Sequence, residues 1–296
     1  MSSSKTIISI EGPTASGKTA LSIDLAQRLG TEIVSTDSRQ CYKEMEIGTA
    51  VPSLEERAEV KHHMIHSHSI DQPLNAGTFS IEARKHIKEL FTYNEMVVLV
   101  GGSPLYAEAL LYGLDELPQI DKSIVESTRE LTLEELQQKL KECDPHYYDT
   151  TDHMNRRRLE RAVQVFEQTG KPFSYYINKP RKKPDFEIKR FSINWERETL
   201  YSRINKRVDL MVDQGLEQEA HALWKKDNEL VKATVGYYEW FNFFEKRCSK
   251  DEAIAAVKQH SRNFAKRQLT WYRKAHQMEV LSNKDPLSQL LDRIKS

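Results

Sequence analysis

The sequence predicts an α/β fold in which a parallel sheet is flanked by helices and carries a helical insertion. Three observations support this prediction. Short apolar runs at 6–10, 32–37 and 96–102 are separated by amphipathic helical patterns. The apolar runs are nearly continuous, which is typical of parallel strands buried on both faces. Between about 115 and 183, helical patterns replace the strand patterns.

The N-terminal part reads as strand, turn and helix, followed by further strands and helices. A glycine-containing turn follows the first apolar run, and Gly30 ends the first helical pattern. The predicted order is a strand at 6–10, a helix through Leu21, Leu25 and Leu29, a strand at 32–37, a helix at about 79–92 and a strand at 96–102. Strands that alternate with helices indicate a parallel sheet.

The second half contains a single further strand pattern, at 186–194, where we expect the sheet to be completed. We therefore predict an α/β core from residues 1–114 and 184–296, with 115–183 as a helical insertion. A basic, proline-bounded segment at 179–184 joins the two parts. Helical patterns are predicted at 133–143, 156–170, 199–226 and 251–277.

Composition favours a cytoplasmic globular protein. Hydrophobic residues make up 39% of the chain and charged residues 30%, and no run approaches the roughly 18 to 20 apolar residues that a membrane span requires. The N-terminus lacks a secretory signal pattern. Three widely spaced cysteines, without C-x-x-C spacing, argue against a disulfide framework or a zinc site and fit a reducing compartment.

The net charge of zero conceals two oppositely charged halves. Residues 1–150 hold 14 Lys and Arg against 24 Asp and Glu, whereas residues 151–296 hold 30 against 20. A basic half on a neutral chain favours a polyanionic partner, although solvated helix faces explain many such imbalances. Charge alone therefore leaves a nucleic-acid partner open.

The turn after the first strand matches the phosphate-binding loop pattern G-x-x-x-x-G-K-[ST] in its required strand-turn-helix context. Glycines let backbone N–H groups curl around phosphate oxygens at a helix N-terminus, where the helix dipole adds attraction. The lysine supplies a full charge, and the last hydroxyl is predicted to bind Mg²⁺. The loop residues are Gly12, Pro13, Thr14, Ala15, Ser16, Gly17, Lys18 and Thr19.

This loop indicates that a diphosphate or triphosphate binds, but it does not define the reaction. The third strand ends in glycines, where a motor ATPase would carry a magnesium-binding aspartate. A GTPase base-reading N-K-x-D motif is also lacking, since Asn205-Lys206 is followed by Arg207 and Val208. Asp37, after the second strand, is placed as in small-molecule kinases, where this carboxylate faces the acceptor. A kinase of a nucleoside or small metabolite is therefore the alternative interpretation.

Nine motifs in one order resemble the tRNA dimethylallyltransferases, also called tRNA isopentenyltransferases. D-S-R-Q-x-Y and A-K-R-Q-x-T-W make the resemblance specific, and it covers nearly the whole chain. The motifs are G-P-T-A-S-G-K-T at 12–19, D-S-R-Q-x-Y at 37–42, I-G-T-A at 47–50, His62-His63, G-G-S-x-L-Y at 101–106, N-x-x-R-x-x-R-A at 155–162, R-x-x-x-R-x-D-x-M-x-x-x-G-L at 203–216, V-G-Y at 235–237 and A-K-R-Q-x-T-W at 265–271.

The resemblance implies a reaction and assigns its residues. A dimethylallyl group passes from its diphosphate to N6 of adenine 37 in the anticodon loop of tRNA, and diphosphate is released. Asp37 is implied to be the general base that accepts the N6 proton. Lys18, Thr19 with Mg²⁺, and Arg207 are implied to stabilise the leaving diphosphate. The family also implies a P-loop NTPase-like core and a monomer.

The resemblance and the charge pattern together give a set of RNA-binding candidates. Asp37, Ser38, Arg39 and Gln40 are expected to hold the adenine edge of a flipped, single-stranded base. Basic and aromatic residues on later helices are expected to contact the phosphates of the anticodon stem-loop. The remaining candidates are Ser103, Arg157, Arg158, Arg161, Gly236, Tyr237, Lys266, Arg267, Gln268, Trp271 and Arg273.

The sequence departs from the family pattern in three places, and it contains one cluster of histidines and one of aromatic residues. His66 stands where the family usually has an acidic residue, Pro104 where glycine is common, and the insertion is shortened. The histidines at 62–68 fit no standard zinc spacing and are interpreted as structural. The aromatic run at 237–244 is interpreted as helix packing, with Tyr237 set apart as a binding residue.

Overall fold

The computed structural model describes residues 5–177, 179, 184–275 and 277–295, and within them six parallel strands form one sheet. The spatial order is β3-β2-β4-β1-β5-β6. The strands are β1 (Thr6–Glu11), β2 (Ile33–Ser35), β3 (His62–His63), β4 (Met96–Gly101), β5 (Glu187–Asn194) and β6 (Met278–Ser282). The predicted α/β parallel sheet is confirmed.

Helices precede, connect and follow the strands. Four of them, α2, α3, α6 and α13, begin with a capping box. In this motif the residue before the helix and the third helical residue each accept, through a side chain, the backbone N–H of the other. The helices are α1 (Lys18–Leu29), α2 (Leu54–Glu59), α3 (Ala76–Leu90), α4 (Pro104–Tyr112), α5 (Lys122–Glu130), α6 (Leu133–Cys143), α7 (Pro145–Thr150), α8 (Arg156–Thr169), α9 (Arg197–Asp213), α10 (Leu216–Trp224), α11 (Glu229–Lys232), α12 (Tyr238–Phe244), α13 (Lys250–Tyr272) and α14 (Pro286–Lys295). In the described part of the chain, none is long and apolar enough to cross a membrane.

The sheet is covered on both faces because alternate strand residues point to opposite sides. Ile8 and Ile10 of β1 pack with α1 and α14 in one core cluster. Ile7 of the same strand packs with α3 and α4 in a second cluster. Burial on both faces explains why these strands read as continuous apolar runs.

One buried ion-pair network lies within the sheet layer. Arg190 of β5 is 1% exposed and donates from both Nε and Nη2 to Glu11, at the end of β1, at 2.8 and 2.9 Å. It also donates to Glu108 of α4 at 2.6 Å. The network therefore joins the central strands to the helix that follows β4.

The chain divides into two compact units, residues 1–112 with 184–296 and residues 113–183. The helical insertion was predicted at 115–183. In the second unit, α6 and α8 pack through Leu136, Leu140, Leu159 and Val163. Residues 180–183 of the predicted basic linker lie outside the described residues.

Several element predictions were wrong in detail. Strands β3 and β6 were not predicted, because β3 is two histidines long and β6 buries one of its five residues, Leu281. The helix predicted at 199–226 is divided into α9 and α10 by Gly215, whose φ of 105° ends one helix and begins the next. The helix predicted at 251–277 ends at Tyr272.

Candidate active site

The phosphate-binding loop runs from β1 to the N-terminus of α1, as predicted. Gly12 and Gly17 have φ values of 150° and 91°, and Gly17 is the residue that precedes the helix. Such positive values favour glycine. Ala15 also has a positive φ, 62°, which an alanine adopts only when surrounding contacts hold it there.

Those contacts come from residues far along the chain. Trp195 donates from Nε1 to the carbonyl oxygen of Ser16 at 2.9 Å. Arg203 of α9 donates from Nε to the carbonyl of Ala15 at 2.8 Å, and its guanidinium lies over the Trp195 ring. The strained loop is therefore held from outside by Trp195, which lies in none of the motifs, and by Arg203, the first residue of the motif at 203–216, to which no role was assigned.

Gln268 of α13 holds the loop from a second side. Its Oε1 accepts from the Thr14 N–H at 3.0 Å, and its Nε2 donates to the Gly102 carbonyl at 2.5 Å. The residue is 3% exposed. Gln268 was predicted to bind RNA, but both ends of its amide are engaged within the protein. Its observed role is to join the loop to the end of β4.

Two cations lie beside the loop without a carboxylate within 4 Å among the described residues. Lys18 donates from Nζ to the Pro13 carbonyl at 2.6 Å, and Arg207 of α9 donates to the Thr14 hydroxyl at 3.0 Å. Burial, with help from the positive charge of Arg207, lowers the pKa of Lys18 to about 7, against the opposing effect of Asp37. Burial also lowers the pKa of Arg207. Buried cations of this kind are suited to an anionic ligand.

Asp37 follows β2 at the same edge of the sheet. Its Oδ1 accepts from the backbone N–H of Arg39 at 2.8 Å and of Gln40 at 3.3 Å. No hydrogen bond to Oδ2 is found among the residues that the structure describes. Ser38 donates its N–H to the Ser103 hydroxyl at 2.9 Å, which ties the loops after β2 and β4 together. The carboxylate is therefore fixed through one oxygen and available through the other.

A cavity of about 250 Å³ brings these groups together. Its polar side includes Lys18, Thr19, Asp37 and Arg207. Its apolar side is formed largely by α9 and α13, whose lining residues recur at helical spacing and so share a face. These apolar residues are Ile204, Val208, Met211, Val257 and Phe264. A second cavity of about 730 Å³ is lined by residues 15–20 of the loop and by Arg203, Lys206 and Arg207.

The predicted RNA-binding residues differ in their exposure to solvent, and most of those near the end of α13 are accessible. Lys266, Arg267 and Arg273 are exposed, and Trp271 is 40% exposed. Arg267 also lines the 250 Å³ cavity. This group therefore forms an accessible basic and aromatic surface, as its predicted role requires.

Tyr237 is a correction. It was set apart from the packing aromatics, yet it is fully buried in the same core as Trp240 and Phe241, so that expectation was wrong. Its hydroxyl donates to Glu219 at 2.8 Å. Gly236, by contrast, lines the cavity. The packing interpretation of the aromatic run itself is confirmed.

In the second unit, the three candidate arginines of α8 differ in environment. Arg157 and Arg158 are exposed. Arg161 is half-buried, donates to the Pro118 carbonyl at 3.3 Å, and has its pKa lowered by burial. Arg156, which was not a candidate, fixes the helix start through Glu160 and two carbonyl groups.

His62, His63, His66 and Pro104 have contacts or positions within the fold, and His62 also lines the 250 Å³ cavity. His62 bonds the Val60 carbonyl through Nδ1 at 2.7 Å, and His63 bonds Glu32. His66 has a φ of 47° and lies 3.5 Å from an Arg57 nitrogen. Pro104 is the first residue of α4, where its missing N–H is not needed.

Comparison with known proteins identifies the family. The sequence model described as IPP transferase matches residues 40–275 of this chain. This chain belongs to the IPP transferase family. A tRNA dimethylallyltransferase of Christiangramia forsetii is 44% identical, over 98% of this chain and 97% of the relative. Its counterpart in Flavobacterium johnsoniae is also 44% identical, over 91% of each chain.

Solved structures extend this result to the fold of the IPP transferase chain. A full-length tRNA isopentenylpyrophosphate transferase of Bacillus halodurans is similar with a TM-score of 0.72 and 31% identity, over 98% of this chain and 96% of that one. A eukaryotic dimethylallyltransferase acting on tRNA has a TM-score of 0.85 at 24% identity, covering 99% of this chain and 79% of that one. The second similarity concerns the fold alone. The predicted P-loop NTPase-like architecture is confirmed.

Proposed function

We propose that this protein transfers a dimethylallyl group from dimethylallyl diphosphate to N6 of adenine 37 in the anticodon loop of tRNA. The C1–O bond of the donor breaks, a bond from N6 to C1 forms, diphosphate leaves, and the N6 proton passes to Asp37. Relatives 44% identical over at least 91% of their length carry the name tRNA dimethylallyltransferase.

The observation that carries this proposal is the common cavity of Asp37, the loop cations and an apolar helix face. A prenyl diphosphate has an anionic end and an apolar end. Lys18 and Arg207 suit the first, and the α9 and α13 residues suit the second. Asp37 lines the same cavity, where its carboxylate can accept a proton from an acceptor amine. The nucleoside triphosphate donor of a kinase has no prenyl chain to place on this apolar face.

Magnesium is part of the proposal, and the loop residues fit it. The Thr19 hydroxyl lines both cavities and makes no side-chain hydrogen bond among the described residues. Mg²⁺ commonly binds through one or two protein oxygens together with substrate phosphates and waters. When bound, the ion would neutralise charge on the diphosphate. The protein would hold it through the Thr19 hydroxyl.

The proposed RNA partner fits the exposed basic residues. Arg267 lies at the cavity, and Lys266, Trp271 and Arg273 lie near it along the chain. Contacts of this type position a nucleic acid without reading its sequence. Arg157 and Arg158 are proposed to contact the stem in the same way.

The decisive experiment combines the purified protein with dimethylallyl diphosphate, Mg²⁺ and an anticodon stem-loop RNA. Mass analysis should show the gain of one C5H8 unit at adenine 37. An RNA with purine in place of that adenine lacks the N6 amine and should remain unmodified. ATP hydrolysis stimulated by a metabolite, with unaltered RNA, would instead establish the kinase.

Asp37→Asn provides the matched variant. The amide keeps the size of the side chain but cannot accept the proton as a carboxylate does, so transfer should slow by about a hundredfold or more. RNA binding, measured by anisotropy, should change little. A variant as active as the wild type would remove Asp37 from the mechanism.

A further inference from the structure

Glu219 of α10 accepts four hydrogen bonds, three from backbone N–H groups at 46–48 and one from the Tyr237 side chain. Its Oε2 accepts from the backbone N–H groups of Glu46 and Ile47 at 3.0 and 2.9 Å. Its Oε1 accepts from the Gly48 N–H at 2.9 Å and from the Tyr237 hydroxyl at 2.8 Å. All four partners donate, and an ionised carboxylate accepts at both oxygens. A glutamine would direct an NH2 group at two of these donors.

These bonds hold the segment at 46–50 against the core cluster that contains Tyr237 and Trp240. A Cβ atom on Gly48 would lie 2.5 Å from the Tyr237 ring, which shows how closely the two approach. A Cβ on Gly236 would lie 3.5 Å from the Gly48 carbonyl oxygen. Gly48, Thr49 and Gly236 all line the 250 Å³ cavity. Glu219 therefore fixes one wall of that cavity without lining it.

The same segment fixes the orientation of a side chain next to Asp37. The Nε2 of Gln40 donates to the carbonyl oxygens of Thr49 and Ala50 at 3.2 and 3.0 Å. Both amide hydrogens are therefore used within the protein. Gln40 lines the cavity, and its Oε1 accepts one 3.4 Å bond from the Ser35 hydroxyl and has further acceptor capacity.

We propose that Glu219 is a positioning residue for the prenyl transfer described under Proposed function, on which this inference rests. Its carboxylate holds the 46–50 segment, and the segment's carbonyl groups orient the Gln40 amide with its oxygen toward the acceptor. An exocyclic amine carries two hydrogens. Asp37 accepts one as a proton, and the Gln40 oxygen accepts a hydrogen bond from the other, which stays on the nitrogen while the amine is aligned for attack.

Glu219→Gln tests this role, with Glu217→Gln as the matched control. Glu217 lies on the same helix and forms an ion pair with Lys250. The Glu219 variant leaves buried donors unpaired, so kcat/KM for the stem-loop RNA should fall about tenfold or more. The KM for dimethylallyl diphosphate should stay within about twofold, because the loop cations are unaltered. Glu217→Gln should match the wild type, and equal losses in both glutamine variants would overturn the proposal.

A double-mutant cycle with Gln40→Ala separates positioning from general destabilisation. If Glu219 acts through Gln40, adding Glu219→Gln to Gln40→Ala should cost less than about twofold in kcat/KM for RNA. Fully additive losses would overturn the proposal. If Glu219→Gln fails to fold, Tyr237→Phe replaces it in the cycle, because this variant removes one donor to the carboxylate and keeps the carboxylate itself. A small added loss would again support the proposal, and fully additive losses would overturn it. A wild-type protein without transfer activity would refute the proposed function instead.

Discussion

Binding of inorganic diphosphate to the phosphate loop should take up a proton, because Lys18 has a lowered pKa before the anion arrives. Burial contributes most to this lowering and the charge of Arg207 contributes next, while Asp37 opposes them, giving a pKa of about 7. A bound diphosphate places negative charge beside the ammonium group and raises the pKa again. Binding and protonation of Lys18 are therefore linked.

The magnitude follows from this pKa. At pH 8 about nine-tenths of the Lys18 side chains are neutral, and at pH 6 about one-tenth. Only the charged form attracts the anion, so this group lowers the affinity about tenfold as the pH rises from 6 to 8. Proton uptake through Lys18 should be about 0.9 per bound diphosphate at pH 8 and about 0.1 at pH 6.

Isothermal titration with magnesium diphosphate in two buffers of different ionisation enthalpy measures this uptake. Diphosphate itself exchanges protons in this range, so Lys18→Arg serves as the reference, since arginine stays charged. The wild-type value minus the variant value isolates Lys18. Equal proton exchange by the two proteins at pH 8 would refute the reasoning, as would a Lys18 pKa near 10 measured by NMR of labelled lysine.

Three further substitutions test the contacts that hold the site. Arg190→Met leaves the fully buried Glu11 without its partner and should lower the free energy of unfolding by about 3 to 5 kcal/mol in urea titrations; a loss below about 1 kcal/mol contradicts this. Gln268→Ala leaves the Thr14 N–H unpaired and should weaken diphosphate binding about tenfold, whereas unchanged titration curves would show that the loop holds itself. Gly48→Ala places a methyl group 2.5 Å from a buried tyrosine ring and should lower the melting temperature measured by circular dichroism, whereas a melting temperature equal to that of the wild type would contradict this.

The sequence determined the elements whose signals are local. Strands β1 and β4 are nearly continuous apolar runs because both sheet faces are covered, and the helix starting at Lys18 follows a glycine-rich turn with a fixed pattern. Asp37 was identified for a related reason: it directly follows a buried strand, at the sheet edge where the loop also begins. Because such patterns involve residues that are close together in the chain, they can be recognised in a single amino-acid sequence.

Tertiary structure alone decided which side chains support the site. Trp195, Arg203 and Gln268 reach the loop from positions about 180 to 250 residues away in sequence, and no spacing rule connects such partners. Tyr237 lies in a motif, but a motif position does not reveal whether a side chain faces a cavity or a core. Glu219 lies in no motif, and only its contacts in the folded chain indicate its role. Sequence patterns report local conformation and burial, whereas partnership depends on how distant elements pack.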